Sequence, residues 1–204
     1  MNKPIFIGRQ PIITADKNIF GYEILFRSTA EENSSGVSVS DNLSATANVL
    51  ENIYDMGLKV LMGEKPAFIN VTPDILKKGM IELLPKDRIV LEILETSKID
   101  DNAVSIIKEF KNKGFSIALD DFSYAEEWEP LLPLSNYVKL DVKQYSRTEM
   151  KEMLMLLKGY GMKFLAEKVE TDEDFQFYKS PRLRLVSGLF FSKTRRNFFR
   201  YFRP

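Results

Sequence analysis

The chain has 204 residues with 29 Lys and Arg against 29 Asp and Glu, a balance that argues for neither a nucleic-acid scaffold nor an acidic tail. It holds no cysteine and no histidine, which excludes disulfides, thiolate and imidazole metal sites, and Ser-His or Cys-His nucleophiles. Chemistry here has to run on Asp, Glu, Lys, Arg, Asn and Tyr. With 44% hydrophobic and 12% aromatic residues, the composition is that of a single folded domain over 1–204, large enough for a sizeable core. No apolar run reaches the ~18 residues needed to cross a membrane, and the apolar stretch at the N-terminus is too short for a signal peptide, so a cytoplasmic protein without a membrane span is predicted.

In chain order, Ile5-Phe6-Ile7 ends at Gly8 and runs on through Arg9-Gln10-Pro11-Ile12-Ile13. Ala15-Asp16-Lys17-Asn18 is turn chemistry, and Phe20-Gly21-Tyr22-Glu23-Ile24-Leu25-Phe26-Arg27 follows at hairpin distance. On a strand of period two, Glu23, Leu25 and Arg27 share one face, with Tyr22, Ile24 and Phe26 on the other. An acid and a guanidinium facing the same way ask for a metal or an ion pair. Residues 28 to 41 read as a polar loop, and Ser40 or Asp41 can cap a helix through about Tyr54. Strand Ala67–Val71 precedes a short helix begun by Thr72-Pro73-Asp74.

From there strands and helices alternate. Strand Arg88–Glu95 leads to a helix over about 101 to 113, closed by Gly114 before strand Phe115–Asp121. A helix near Glu126–Leu132 precedes Tyr137–Asp141. A longer helix, about 146 to 159, precedes Lys163–Glu167, Thr171 caps a helix through Tyr178, and Leu183–Phe190 is the last strand candidate. Eight strands, six of them separated by helices, predict a (β/α) barrel whose first two strands form a hairpin, with a doubly wound open sheet as the architectural alternative. The basic and aromatic end, residues 193 to 204, reads as a helix covering the base of the barrel or as a domain junction.

Asn70, Glu92, Asp120, Asp121, Lys139, Asp141 and Glu167 interrupt apolar strands at or near their C-terminal ends, where parallel α/β folds bind ligands. Carboxylates packed together raise one another's pKa, and a hard divalent cation such as Mg2+ or Mn2+ resolves that conflict. A lysine among them neutralises a phosphate or positions a water, so metal-assisted attack of water on a phosphoester is the reaction class this pattern suggests. Each residue also has a plainer reading: Asp120-Asp121 as a helix cap, Asn70 as a turn residue, Lys139 paired with Asp141, Glu167 as a surface acid. Recurrence at one end of successive strands is what favours the site.

The same residues carry a family resemblance. Tyr22-Glu23-Ile24-Leu25-Phe26-Arg27 resembles the EAL signature of cyclic di-GMP phosphodiesterases, with Ile at the central Ala. The likeness extends through Arg9-Gln10-Pro11-Ile12, Phe68-Ile69-Asn70-Val71, Leu91-Glu92-Ile93-Leu94-Glu95-Thr96, Ala118-Leu119-Asp120-Asp121-Phe122, Val138-Lys139-Leu140-Asp141, Ala166-Glu167-Lys168-Val169-Glu170-Thr171 and Gly188-Leu189-Phe190-Phe191-Ser192. The segment from Asp121 to Leu132 resembles the branch in which an EAL domain precedes an HDOD domain, although no HDOD-sized region remains in this chain. The resemblance implies a modified (β/α)8 TIM-like barrel with an antiparallel N-terminal strand and hydrolysis of cyclic di-GMP to linear pGpG with Mg2+ or Mn2+. It implies Glu23, Asn70, Glu92, Asp120 and Asp121 as metal ligands, Lys139 beside the attacking water, Glu167 as the acid assisting its deprotonation, Gln10 and Arg27 on the dinucleotide, and Glu95 as anchor of the loop after Asp121. A homodimer and a partner signalling protein or domain are the assemblies it implies.

Three positions depart from the family pattern. The glycine-rich loop expected after Phe122 is Ser123-Tyr124-Ala125-Glu126-Glu127, the residue before Glu95 is Leu94, and Ser187 stands where a Gln is expected. Three readings are therefore open from sequence: a phosphodiesterase, a non-catalytic cyclic di-GMP receptor, and a protein-interaction module that docks through Trp128, Leu131 and Leu132.

Overall fold

Val90, Glu92 and their neighbours form a strand buried on both faces, the pattern of a parallel sheet covered by helices on one side and filled on the other. The computed structural model describes residues 5–27, 57–179 and 197–201. The elements are β1 (Ile5–Ile13), β2 (Ile19–Arg27), α1 (Leu58–Met62), β3 (Ala67–Val71), α2 (Pro73–Lys77), a 3-10 turn over Met80–Leu83, and β4 (Ile89–Ile93). There follow α3 (Asp101–Asn112), β5 (Ser116–Leu119), a 3-10 helix over Glu126–Leu134, β6 (Tyr137–Asp141), α4 (Arg147–Leu157) running into a 3-10 turn over Lys158–Tyr160, β7 (Lys163–Glu167), α5 (Asp172–Lys179) and β8 (Asn197–Tyr201). The helix expected up to Tyr54 and the strand expected over Leu183–Phe190, with Ser187, lie outside the described residues.

The eight described strands form one sheet in the order β7-β6-β5-β4-β3-β2-β1-β8. Pairing is parallel from β2 to β7 and antiparallel where β1 meets β2 and β8. The turn predicted at Ala15–Asn18 closes the β1–β2 hairpin, with Lys17 left-handed at φ 62 and the Thr14 N–H donating to the Asn18 carbonyl over 2.8 Å. The sheet curls strongly. In a flat sheet β2 and β6 would lie roughly 19 Å apart, at about 4.8 Å per strand, yet the rings of Phe20 on β2 and Tyr137 on β6 have centroids 6.1 Å apart. The modified barrel with an antiparallel first strand is therefore what forms.

Two layers fill the inside of the curl. Ile12, Phe68, Val90, Ala118 and Leu165 pack with Phe20 and Tyr137 into an apolar plug. Two residues further along β3, β4, β5, β6 and β7, on the same face by the period-two rule, come Asn70, Glu92, Asp120, Lys139 and Glu167. The polar layer thus sits directly above the apolar one, at the carboxyl ends of the strands. Outside the sheet, α3 buries Ala103, Ile107 and Phe110, starts on the Asp100 side chain accepting from the Ala103 N–H at 2.9 Å, and stops before Gly114 at φ 99. α4 begins with a Ser146–Glu149 capping box and buries Met150, Leu154 and Leu157.

Two sequence expectations are corrected. Trp128, Leu131 and Leu132 are not an exposed docking surface: they are 6%, 0% and 0% exposed, and Trp128 packs edge-on against Phe122 with ring centroids 6.2 Å apart. Pro130 and Pro133 keep this segment 3-10, and its three-residue period puts Trp128 and Leu131 on one inward face. The basic-aromatic end does not form a helix at Asn197–Tyr201, which pairs antiparallel with Ile5–Arg9 of β1. Its aromatic-rich Asn-Phe-Phe-Arg-Tyr suits a strand.

Gly21 shows how tightly β2 is seated. A Cβ there would stand 2.8 Å from the Pro66 carbonyl oxygen, which is fixed by a 2.9 Å hydrogen bond from the Tyr22 N–H. Because backbone cannot yield as a side-chain tip can, Gly21→Ala is expected to lower unfolding free energy by about 1–3 kcal/mol, read from the denaturant midpoint. An unchanged midpoint would show that β2 has room to shift.

Candidate acid-lysine site at the barrel mouth

Lys139 is the centre of the polar layer. Its side chain, 3% exposed, extends from β6 into the curl, and its ammonium lies 2.6 Å from Asp120 Oδ1, 2.9 Å from Glu92 Oε1, 3.0 Å from Glu167 Oε1 and 3.6 Å from Glu23 Oε2. Carboxylates from β2, β4, β7 and the end of β5 therefore converge on one cation. β2 and β6 are separated by three strands in the sheet, so the contact from Glu23 exists only because the sheet curls. Asn70 is paired in register with Glu92 and Gln10 with Glu23, which places both beside this cluster. Arg27 is the last residue of β2, opposite Phe6 in the ladder.

One ammonium cannot neutralise four carboxylates, and the titration of the cluster reflects that. Burial pushes Glu92 well above the usual carboxylate range, against the pull of Lys139, with Glu23 and Asp120 adding to the rise. Burial likewise raises Glu23 and takes Glu167 up to about 8. For Lys139, burial by itself favours the neutral amine, but Asp120, Glu167, Glu23 and Glu92 outweigh it and hold the ammonium well above its ordinary value. Burial and mutual repulsion thus make these glutamates harder to ionise than exposed ones.

A pH dependence follows. Folded Glu167 titrates near 8, above its ordinary 4.5, so between those values the folded chain binds more protons than the unfolded one and stability falls as pH rises. In chelator, the melting temperature of the wild-type chain relative to Glu167→Gln is expected to decline from pH 5 to pH 8 and then level off. A difference that stays constant over that range would contradict the raised value.

The donor set fits a hard divalent ion. It consists of carboxylate and amide oxygens, and both Glu92 oxygens are buried, with the Lys139 ammonium 2.9 Å from Oε1. Among the described residues no three carboxylates are spaced as a ligand sphere, and the Lys139 ammonium lies among the acids, 2.6 Å from Asp120 Oδ1. Glu23, Glu92 and Asp120, with Asn70 alongside, are the residues that would hold such an ion once the ammonium gives way.

Asp121 stands apart from this cluster. It is left-handed at φ 40, and its carboxylate faces Lys168, also left-handed at φ 57, whose Nζ is 3.3 Å from Asp121 Oδ2 and 2.6 Å from Asp141 Oδ2. Lys168 has no role of its own in the sequence reading, where it appears only within the Ala166–Thr171 motif. No glycine marks the left-handed turn that aims it, so only its place after an inward acid hinted at a role.

Glu95 is exposed just past β4, and among the described residues none of its hydrogen bonds reaches the segment after Asp121. Burial raises its carboxyl above the usual range. That segment is held by its own contacts instead. The Phe122 N–H donates to the Lys139 carbonyl at 2.9 Å, Ser123 Oγ lies 3.0 Å from the Tyr145 hydroxyl, and the Tyr124 hydroxyl donates to Glu129. Neither Glu95 as an anchor nor Asp121 as a member of the central cluster is what the structure brings together. Among the described residues, no helix is long and apolar enough to cross a membrane.

A sequence model of the EAL domain matches residues 5–194. A Vibrio cholerae protein named cyclic di-GMP phosphodiesterase CdgJ is 32% identical over 190 residues, 92% of this chain and 44% of that protein. The uncharacterised protein YuxH of Bacillus subtilis is 32% identical over 198 residues, covering 94% of this chain and 47% of its own length. The chain thus spans less than half the length of these relatives. Among solved structures, BlrP1 of Klebsiella pneumoniae in complex with manganese and cyclic di-GMP superposes with a TM-score of 0.69 at 19% identity, over 98% of this chain and 60% of that one. An EAL domain protein from Listeria monocytogenes gives 0.64 at 18% identity, over 91% and 85%. These likenesses carry the fold.

Proposed function

The chain belongs to the EAL domain family, and we propose that its barrel mouth hydrolyses cyclic di-GMP to linear pGpG with the help of a divalent ion, Mg2+ or Mn2+. The observation that carries this reading is the convergence of Glu23, Glu92, Asp120 and Glu167 on Lys139, an acid cluster with more negative charge than one ammonium balances. The 32% identity to a protein named as a cyclic di-GMP phosphodiesterase supports the choice of substrate, and the manganese in the BlrP1 complex supports the choice of cofactor.

Glu23, Asn70, Glu92 and Asp120 would hold the ion, which would supply positive charge for the phosphoryl oxygens and favour ionisation of water. The chain's own residues do the rest. Glu167, at the rim of the cluster with its side chain 18% exposed, takes the proton from the water that attacks phosphorus. Lys139, beside Glu167 at the centre of the cluster, would donate to that water or to a phosphoryl oxygen. Arg27 and Gln10 hold the dinucleotide's second phosphate and a guanine. As the new P–O bond forms, the bond to the ribose 3′ oxygen breaks, and that oxygen leaves with a proton.

The segment after Asp121 favours a second reading, because Ser123 and Tyr124 are tied to Tyr145 and Glu129 and not to Glu95. On that reading the same mouth binds cyclic di-GMP without cutting it. Incubation with cyclic di-GMP and Mn2+, followed by chromatography, separates the two: pGpG is the expected product. Saturable binding with no product would replace the enzyme by a receptor, and neither binding nor product would overturn both.

A further inference from the structure

Asp121 and Lys168 are non-glycine residues in the left-handed region, at φ 40 and φ 57, a conformation that costs each of them of order 1 kcal/mol or more. They occupy equivalent places. Asp121 immediately follows Asp120 at the end of β5, and Lys168 immediately follows Glu167 at the end of β7. Those two turns fold the side chains toward each other over the end of β6, the strand lying between β5 and β7 in the sheet. There the Lys168 ammonium lies 2.6 Å from Asp141 Oδ2 and 3.3 and 3.4 Å from the two Asp121 oxygens.

The partners are preset for this. Asp141 has a side chain 7% exposed and accepts from the Lys143 N–H at 2.8 Å and from Gln144 Nε2 at 3.4 Å, so its carboxylate is fixed before Lys168 reaches it. Burial alone would raise Asp141, but the bonds from Lys168 and the Lys143 N–H outweigh it and hold the carboxyl below its usual range. Asp121 directly follows Asp120, whose carboxylate belongs to the central cluster. The mouth therefore contains a second group of acids beside the first, and this one is already supplied with a cation by the chain.

We infer that Lys168 is a built-in cation, filling the place between Asp121 and Asp141 that a further divalent ion would take, so that the barrel mouth binds one divalent ion and not two. The inference rests on the metal-site reading proposed above. It also assigns the left-handed turns a purpose, since they aim an ammonium at two carboxylates that would otherwise repel each other across the end of β6.

The test is Mn2+ stoichiometry, measured by electron paramagnetic resonance of free Mn2+ during titration of the full chain. The wild type is expected to take up one ion per chain, and Lys168→Ala two, with Asp121→Asn on the Lys168→Ala background returning the number to one. Lys168→Met, which keeps the apolar stem, should match Lys168→Ala, and circular dichroism melts confirm that each variant is folded. Two ions on the wild type, or one on both Lys168 variants, would overturn the inference while leaving the metal-site reading intact. No uptake by any of the proteins would overturn both.

Discussion

Replacing Lys139 by methionine is expected to be the most damaging single change to the stability of the metal-free chain. The ammonium lies within 3.6 Å of four carboxylates whose side chains are at most 18% exposed, and no other cation reaches them among the described residues. Removing one partner of a buried ionic group costs about 3–5 kcal/mol, because the remaining charges stay buried and uncompensated. The cost depends on pH. Near pH 5 the glutamates take up protons and the loss shrinks; at pH 9, above the value of about 8 for Glu167, it is largest. Urea denaturation of Lys139→Met in chelator at the two pH values measures this. A divalent ion should restore much of the loss, and should bind more tightly than to the wild type, because no ammonium competes for the acids. Equal stability of variant and wild type at pH 9 would show that the acids are not held by Lys139.

Glu23→Ala is expected to have the largest effect on activity. Glu23 reaches the cluster from β2, across the curl from β6, and no residue on its own strand can replace it there. Loss of an ion ligand removes several kcal/mol of transition-state stabilisation, and at 1.36 kcal/mol per tenfold the rate of pGpG formation should fall roughly a thousandfold. Stability should move the other way, since one fewer buried acid relieves the excess negative charge around Lys139. A variant that melts higher in chelator while losing turnover is the signature of a residue kept for function. Unchanged turnover would remove Glu23 from the reacting centre.

Much of this site was legible in the sequence, and the reason is physical. Asn70, Glu92, Lys139 and Glu167 each lie two residues beyond an inward apolar residue on a strand, so the period-two rule alone places them on the inner face at the carboxyl end. The hairpin was equally readable from Ala15–Asn18, and β7 from the apolar run before Glu167. What failed were features that depend on conformations residue identity does not announce. Trp128, Leu131 and Leu132 stand at the i, i+3, i+4 spacing of one helix face, which fits the helix expected there but does not say whether that face turns to solvent or to the core, and it turns to the core. Lys168 is aimed by a positive φ without a glycine to signal it. The strand at Asn197–Tyr201 pairs with β1, nearly the whole chain away, and no local pattern encodes that partner.

The position of Lys139 also changes how the acid cluster is understood. The Lys139 ammonium lies among the four carboxylates, 2.6 Å from Asp120 Oδ1, and offsets part of their mutual repulsion. On the proposed reading, an ion bound at these acids would compete with the ammonium for them. Because burial raises Glu92, Glu23 and Glu167 and ligands bind an ion in their ionised form, ion uptake should strengthen as pH rises.

Anomalous diffraction from crystals grown with Mn2+ and cyclic di-GMP would locate the ion. A manganese peak is expected at the barrel mouth, at about 2.1 Å from oxygens of Glu23, Asn70, Glu92 and Asp120, a spacing typical of small divalent ions, with the Lys139 ammonium moved off the acids toward a phosphate. A peak elsewhere, or no peak with Lys139 still seated among the four carboxylates, would contradict the proposed site.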